Sequence, residues 1–105
     1  MDPKRLNRVK RRLDGLRSAP AGIKREKLER LAKSLGFRRE KRGKEPTYVN
    51  DEFPHLTPLA IPSHREINKF TAKDIIDKLD VYAFEWEERL RKNQTKLKAK
   101  GTDNE

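Results

Sequence analysis

The stretch RGKEPTYV, residues 42–49, decides the fold of this 105-residue chain. GKEP is typical of a tight turn, and TYVN has the β-branched and aromatic content of a short strand. Residues 37–42 can run extended before the turn, so the stretch predicts a β-hairpin. It also divides the charge of the chain. Residues 1–42 carry 16 Lys and Arg against 5 Asp and Glu, and residues 43–105 carry 11 against 12.

The residues before the hairpin predict two helices. Asp2 and Pro3 are typical of an N-cap followed by a first-turn proline. Four apolar side chains then recur at helical spacing: Leu6, Val9, Leu13 and Leu16. Residues 1–20 are therefore expected to form a basic amphipathic helix. That helix packs on the rest of the chain, packs on a partner, or stays unpacked until a partner arrives.

The segment GIKREKLERLAKSLGF, residues 22–37, predicts the second helix. Its apolar side chains share one face: Leu28, Leu31, Ala32 and Leu35. Gly36 stands just after this pattern, where a left-handed backbone conformation favours glycine. We expect the helix to end there and the first strand of the hairpin to follow.

The residues after the hairpin predict a third strand and a long helix. The segment LTPLAIP, residues 56–62, has the composition of a short strand, and its two prolines favour an edge position. Thr71 is predicted to cap the last helix, with Asp74 as its capping-box partner. Seven apolar side chains give this helix a broad packing face: Ile75, Ile76, Leu79, Tyr82, Ala83, Trp86 and Leu90. Residues 93–105 are polar and are predicted to be a disordered tail.

These elements predict a small single domain of the α+β class. A three-stranded antiparallel sheet packed against helices on one face is the simplest way to bury the apolar stripes. The domain is placed at residues 22–92, in the order α-β-β-β-α. The basic helix of residues 1–20 is an addition to that order, and the last helix is extended.

The excess of positive charge predicts a polyanionic partner. The formal net charge is +10, and it comes from residues 1–42, where 16 minus 5 gives +11. Neutralising phosphates releases counterions, which favours nucleic acid over a merely solvated surface. A membrane surface is not expected, because no broad apolar stripe accompanies the cations.

The composition also excludes several classes of protein. The chain has no cysteine, so it has neither a disulfide framework nor a thiolate zinc site. Two separated histidines and scattered carboxylates predict no other metal site. No long apolar segment indicates a membrane span or a secretory signal. We therefore expect a cytoplasmic protein without a metal or a small-molecule cofactor.

Three short motifs resemble the HicA family of toxins. LERLAKSLGF, residues 28–37, resembles that family's opening helix and glycine turn. IPSH, residues 61–64, resembles its vPrH strand end, and NKFTAKDIIDKL, residues 68–79, resembles its kkgTlrsILkq segment. The α-β-β-β-α order likewise resembles the double-stranded-RNA-binding-domain fold. The resemblance covers roughly residues 24–80.

The resemblance implies an mRNA interferase, a small ribonuclease toxin that a HicB-type antitoxin blocks. In that family the strand after the first turn carries Gly-Ser-His, and its histidine is catalytic. A base near the ribose 2′-OH lets that oxygen attack the neighbouring phosphorus, and histidine suits this task near neutral pH. The matching positions here are Gly43, Lys44 and Glu45, so the Ser-His pair is replaced.

Three residues are candidates for the chemistry: Glu45, His64 and Tyr48. Glu45 stands at the matching position, but the ordinary pKa of a glutamate, about 4.3, makes it a weaker base. His64 is expected at the end of the third strand, beside the hairpin, whereas His55 in the preceding loop is expected to face solvent. Tyr48 either contacts RNA, by stacking on a base or binding a phosphate, or fills the inner face of the sheet.

The cations of the hairpin are the predicted RNA contacts: Arg38, Arg39, Lys41, Arg42 and Lys44. Strand alternation places Arg38 and Arg42 on one face and Arg39 and Lys41 on the other. At least one pair therefore faces solvent. Such a cluster holds phosphates without reading sequence.

The leading hypothesis is an RNA-binding protein, the toxin component of a type II toxin–antitoxin system, with metal-independent cleavage of mRNA. One alternative is a related RNA-binding module that has lost cleavage. Another is a protein-interaction module whose basic N-terminal helix docks on an acidic partner. A DNA-binding protein ranks lower, because the second helix mixes Glu26 and Glu29 with its cations.

Overall fold

The computed structural model describes the backbone of residues 1–42 and 45–103, and the side chains of residues 1–40 and 46–92. Eight elements follow one another along the described backbone: α1 (Pro3–Ser18), β1 (Ile23–Lys24), α2 (Arg25–Ser34), β2 (Arg38–Arg42), β3 (Glu45–Val49), β4 (Leu59–Ala60), β5 (Glu66–Ile67) and α3 (Lys69–Asp103). Together they build a small α+β domain from helices and antiparallel sheets, the class that the sequence predicts.

Helix α1 lies along α3 and belongs to the same hydrophobic core. Asp2 caps its first turn as predicted, by accepting a hydrogen bond of 3.2 Å from the backbone N–H of Lys4. The predicted apolar stripe is buried throughout: Leu6, Val9, Leu13 and Leu16. Arg17 pairs with both Asp77 and Asp80 of α3. Of the three placements expected for this helix, the structure therefore shows packing on the rest of the chain.

The predicted end of the second helix at Gly36 is confirmed. Gly36 has a φ of +95°, a left-handed conformation that other residues rarely adopt. The preceding carbonyl, that of Leu35, accepts a hydrogen bond of 2.8 Å from the Asn50 side chain and one of 2.6 Å from the Trp86 indole. The end of α2 is thereby joined both to the segment after β3 and to α3.

Strands β2, β3 and β4 form the predicted three-stranded antiparallel sheet. Arg39 lies opposite Tyr48, and Tyr48 lies opposite Leu59. Residues that face one another across strands share a face of the sheet, and on this face Tyr48 and Leu59 are fully buried in the core. On the other face Thr47 lies opposite Ala60, which is exposed. The helices thus cover one face of the sheet and leave the other open.

Two details of the strands differ from the sequence prediction. Only Leu59–Ala60 of the predicted third strand pairs in the sheet, because Pro58 and Pro62 flank it and cannot donate ladder hydrogen bonds. A second sheet, which the sequence did not predict, pairs β1 with β5, with Ile23 opposite Ile67. Strands of two residues are too short for a periodic pattern to indicate them.

Helix α3 begins before the predicted position. Asn68, not Thr71, caps it, since the Asn68 Oδ1 accepts a hydrogen bond of 2.8 Å from the backbone N–H of Phe70. The predicted packing face is buried from Ile75 to Trp86 and half-buried at Leu90. The predicted tail, residues 93–105, begins inside this helix. Its side chains lie outside the described residues, and the disorder expected there stays a prediction.

Candidate nucleic-acid interface

Arg38 lies on the open face of the sheet and is held by a carboxylate. Its Nε and Nη2 donate hydrogen bonds of 2.7 and 3.3 Å to the two oxygens of Asp51, and its Nη1 lies 3.4 Å from a Glu40 oxygen. The hydrogen bond from Arg38 lowers the pKa of Asp51 and raises that of Arg38 itself. Both side chains are more than half exposed, so water screens the pair. A phosphate would have to compete with Asp51 for this guanidinium.

Of the two hairpin cations whose side chains the structure describes, Arg38 and Arg39, only Arg39 has no carboxylate partner among the described side chains. It lies at the register position of Tyr48, on the side of the sheet that the helices cover. Its side chain is nevertheless exposed and forms no ion pair with any side chain that the structure describes. Arg39 is therefore available to a phosphate.

Four predicted site residues have side chains outside the described ones: Lys41, Arg42, Lys44 and Glu45. The backbone register places Lys41 opposite Pro46 and Arg42 opposite Glu45, at the turn end of the hairpin. The roles expected for these four residues stay predictions.

Tyr48 fills the inner face of the sheet, which is one of its two expected placements. Its side chain is only 1% exposed. Burial raises the pKa of Tyr48, and the nearby Glu29 carboxylate raises it further. A ring in the core offers no face to a nucleobase, and a phenol that stays protonated cannot serve as a general base at neutral pH.

His64 is exposed on the segment that joins β4 to β5. Arg25, at the start of α2, holds this segment in two places. Its Nη1 donates a hydrogen bond of 2.8 Å to the carbonyl of Ser63, and its backbone N–H donates one of 3.1 Å to the carbonyl of Arg65. Within the described part of the chain, the imidazole of His64 itself has no hydrogen bond or ion pair. The imidazole of His64 is therefore accessible to solvent, on a segment that two hydrogen bonds from Arg25 hold in place.

His55 also faces solvent, as expected. Its Nε2 lies 4.0 Å from an oxygen of Glu85, and its ring meets the edge of Phe53 at a centroid distance of 6.3 Å. These contacts place His55 on the surface beside α3.

A groove between α1 and α2 gathers cations that the sequence analysis did not assign to a site. It has a volume of about 880 Å³, and its lining includes Arg12, Lys24, Lys27 and Arg30. Helical spacing indicates that Lys27 and Arg30 are neighbours on α2. The turn that brings Arg12 across from them is a tertiary feature, which no local pattern indicates.

Comparisons with protein-family models, with curated proteins and with solved structures found no match to this chain. Among the described residues, no helix is both long and apolar enough to cross a membrane. The same residues contain no group of three or more His, Cys, Asp or Glu placed to hold a metal ion. The function of this surface is therefore inferred from its cations and its histidines.

Proposed function

We propose that this protein binds RNA through its basic half and is the toxin-side member of a HicA-like toxin–antitoxin pair. The observation that carries the proposal is the partition of the cations. Those that face α3 are neutralised, since Lys10 pairs with Glu87, and Arg17 pairs with Asp77 and Asp80. Most of the described cations on the outer surfaces of α1 and α2, and Arg39 of β2, have no such carboxylate. Among the described side chains of residues 1–40, most of the positive excess therefore remains exposed.

The unneutralised cations suit a chain of phosphates. They are exposed and form no ion pair with any described side chain: Lys4, Arg5, Arg8, Arg11, Arg12, Lys24, Lys27, Arg30, Lys33 and Arg39. A polyanion that contacts several of them releases several counterions, so its affinity falls steeply as salt rises. Contacts to phosphate select no bases, and we expect binding to depend weakly on sequence.

The arrangement of the core elements favours RNA over DNA. The order α2, β2, β3, β4, α3, with the helices on one face of the sheet, supports the proposed likeness to double-stranded-RNA-binding domains and to HicA proteins. Helix α2 carries Glu26 and Glu29 among its cations, which is unfavourable for a helix that enters a major groove.

The second proposal is metal-independent cleavage of the bound RNA, with His64 as the general base. The base takes the proton of a ribose 2′-OH, and the 2′ oxygen attacks the adjacent phosphorus as the bond from phosphorus to the 5′ oxygen breaks. The leaving 5′ oxygen takes a proton from water. The products are a 2′,3′-cyclic phosphate and a 5′-OH. His64 is exposed and shortly follows β4, which pairs with β3 of the hairpin. Glu45, at the position of the family's histidine, is the alternative base.

The likeness to HicA proteins also implies a HicB-type antitoxin as partner. A protein that blocks RNA binding has to cover the exposed cations, so we expect its contact surface to be acidic. The complex of the two proteins should lose affinity for RNA. An adjacent reading frame that encodes a HicB-like protein would support this partner.

The test uses end-labelled single-stranded RNA in the presence of EDTA. Wild type is compared with His64→Ala, Glu45→Gln and Tyr48→Phe on a denaturing gel, and RNA binding is titrated from about 50 to 200 mM salt. Cleavage that survives EDTA and is lost in His64→Ala, but kept in Tyr48→Phe, supports both proposals. Loss in Glu45→Gln alone assigns the base to Glu45.

Two other outcomes decide against parts of the proposal. If folded wild-type protein binds RNA and does not cleave it, the proposed cleavage is wrong and the proposed RNA-binding function stands. A folded wild-type protein that does not bind RNA at low salt removes the function altogether, and it favours the hypothesis that the basic helix docks on an acidic protein.

A further inference from the structure

Helix α1 carries cations on two flanks. Within the described residues, carboxylates neutralise the cations of one flank and not those of the other. One flank holds Lys10 and Arg17, which pair with carboxylates of α3. The other holds Arg5, Arg8 and Arg12, whose spacing of three and four residues puts them in one row. These three arginines are exposed and form no ion pair with any side chain in the described ranges. We call them the α1 row.

A second row stands on α2 and on the strand before it. Lys24, Lys27 and Arg30 recur every third residue, are exposed, and have no carboxylate partner among the described side chains. We call them the α2 row. On another flank of α2, Arg25 and Glu29 are paired, with 2.9 Å between Nε and Oε1. Arg25 is thus neutralised within the fold, whereas the α2 row has no carboxylate partner among the described side chains.

The α2 row and Arg12 of the α1 row line the groove of about 880 Å³. Arg5 and Arg8 continue the α1 row along the same face of the helix, beyond the groove lining. Five apolar side chains contribute to its lining: Leu16, Ala19, Ala21, Ile23 and Leu31. Gly15 keeps the α1 side open, since a Cβ at this position would have no other atom within 4 Å. Four of the cations line the groove directly: Arg12, Lys24, Lys27 and Arg30. Among the described lining residues, Glu26 is the only carboxylate that offsets them.

We infer that this groove binds the sugar–phosphate backbone of RNA, with the strand lying between the α1 row and the α2 row. The inference rests on the proposed function and names a site for it that lies apart from the hairpin. The described lining contains cations on both walls and no aromatic side chain on which a base could stack. The groove therefore holds the backbone and leaves the bases unread.

A uniform polyanion suits the two rows better than an acidic peptide does. RNA places one phosphate at every nucleotide, whereas the carboxylates of a peptide are separated by uncharged backbone and neighbouring residues. The cations of each row recur at intervals of three or four residues, so a partner with regularly repeated charge can neutralise both rows at once. An acidic protein partner is the competing outcome of the test.

The test compares two double variants that each remove one Arg and one Lys charge. Arg12→Gln with Lys27→Gln alters the groove, and Arg17→Gln with Lys10→Gln alters the paired flank of α1 as the matched control. Binding of a labelled oligouridine of about 20 nucleotides is followed by fluorescence anisotropy from about 50 to 200 mM salt. Circular dichroism and the thermal midpoint establish that each variant is folded.

The groove variant should weaken binding about tenfold or more near 0.1 M salt, and the slope of log K against log salt should become shallower by about 1.4, or about 0.7 for each lost phosphate contact. The control should change the affinity less than about threefold, because its charges are already neutralised in the fold.

Three results would overturn the inference, and they are distinguishable. If wild type binds RNA and the folded groove variant binds like the control, the groove is not the site, and the proposed function stands on the hairpin. If wild type does not bind RNA, both fall. Polyglutamate and unlabelled RNA are also compared as competitors at equal charge. If polyglutamate displaces the labelled RNA equally well, the groove binds an acidic protein.

Discussion

The indole Nε1 of Trp86 donates a hydrogen bond of 2.6 Å to the backbone carbonyl of Leu35. The Asn50 side chain donates a second one, of 2.8 Å, to the same oxygen, and its own Oδ1 accepts one of 3.1 Å from the backbone N–H of Glu52. Asn50 is 5% exposed. One carbonyl at the end of α2 therefore joins α3 to the segment that follows the hairpin, and it fixes the helices relative to the sheet.

Replacing Trp86 with Phe should destabilise the protein by about 1–3 kcal/mol, because the Leu35 carbonyl loses a donor and the smaller ring leaves a space. Urea unfolding followed by circular dichroism measures the change. Phe84→Leu is the control, since Phe84 is 58% exposed and its replacement should stay within about 0.5 kcal/mol. Equal effects of the two substitutions would show that the hydrogen bond and packing of Trp86 contribute nothing to the free energy of unfolding.

Alanine should have opposite effects at two glycines. Gly36→Ala forces a Cβ into a left-handed conformation and should cost about 1–2 kcal/mol. Gly15→Ala lies in α1 with open space around the new Cβ, and it should stabilise by about 0.5–1 kcal/mol through helix propensity. Both changes are read from unfolding midpoints. If Gly36→Ala leaves the stability unchanged, residue 36 does not have the left-handed conformation at the end of α2.

Stability should fall in alkali because two tyrosines are buried. Burial raises the pKa of Tyr48 and of Tyr82 above the ordinary value of about 10. The unfolded chain therefore releases these protons at a lower pH than the folded chain does, and it binds fewer protons. The stabilisation is complete below pH about 10 and is lost as the pH rises through the folded-state values.

The measurement is the free energy of unfolding by urea between about pH 8 and 11. The decline should be shallower in Tyr48→Phe than in wild type, and shallower still when Tyr82→Phe is added. If the free energy of unfolding of the double variant falls as steeply with pH as that of wild type, other groups cause the loss of stability in alkali.

Leu13→Ala should destabilise the whole domain by about 2–5 kcal/mol, because Leu13 is fully buried between α1 and the core. Arg17→Gln removes the pairs with Asp77 and Asp80 and should cost at most about 1 kcal/mol, since these groups are well exposed. Both variants are measured by urea unfolding with probes of helix and of Trp86. Separate transitions for the two probes would show that α1 unfolds independently of the core.

The two arginines at the start of the hairpin should differ in their effect on RNA affinity. Arg39→Gln should weaken binding and flatten its salt dependence, because this side chain has no described carboxylate partner. Arg38→Gln should have a smaller effect, because Asp51 already holds that guanidinium. Asp51→Asn should strengthen binding modestly, because it removes the nearer of the two carboxylates beside Arg38 and leaves Glu40 at 3.4 Å. A salt titration with labelled RNA tests all three, and a larger effect of Arg38→Gln would contradict the assignment.

The helices and the hairpin follow from local patterns. The buried stripe of α1 recurs at helical spacing, Gly36 marks the end of α2 because only glycine adopts its conformation freely, and a turn signal separates β2 from β3. The cap of α3 was predicted wrongly, because Thr71 and Asn68 are both good capping residues and only the packed helix selects Asn68.

The candidate site depends more heavily on the tertiary structure. The sequence by itself determined the basic half of the chain, the alternation of cations along the hairpin and the class of the domain, since charge and periodicity are local properties. It left open whether Tyr48 faces the core or RNA, because a strand pattern does not say which face a helix will cover. Only the tertiary structure decided that Tyr48 is buried, that Arg38 pairs with Asp51, and that a groove lined by unpaired cations lies between α1 and α2. Whether a cation is neutralised depends on which carboxylates lie within a few ångströms of it, and residues far apart in the chain are brought that close only by packing.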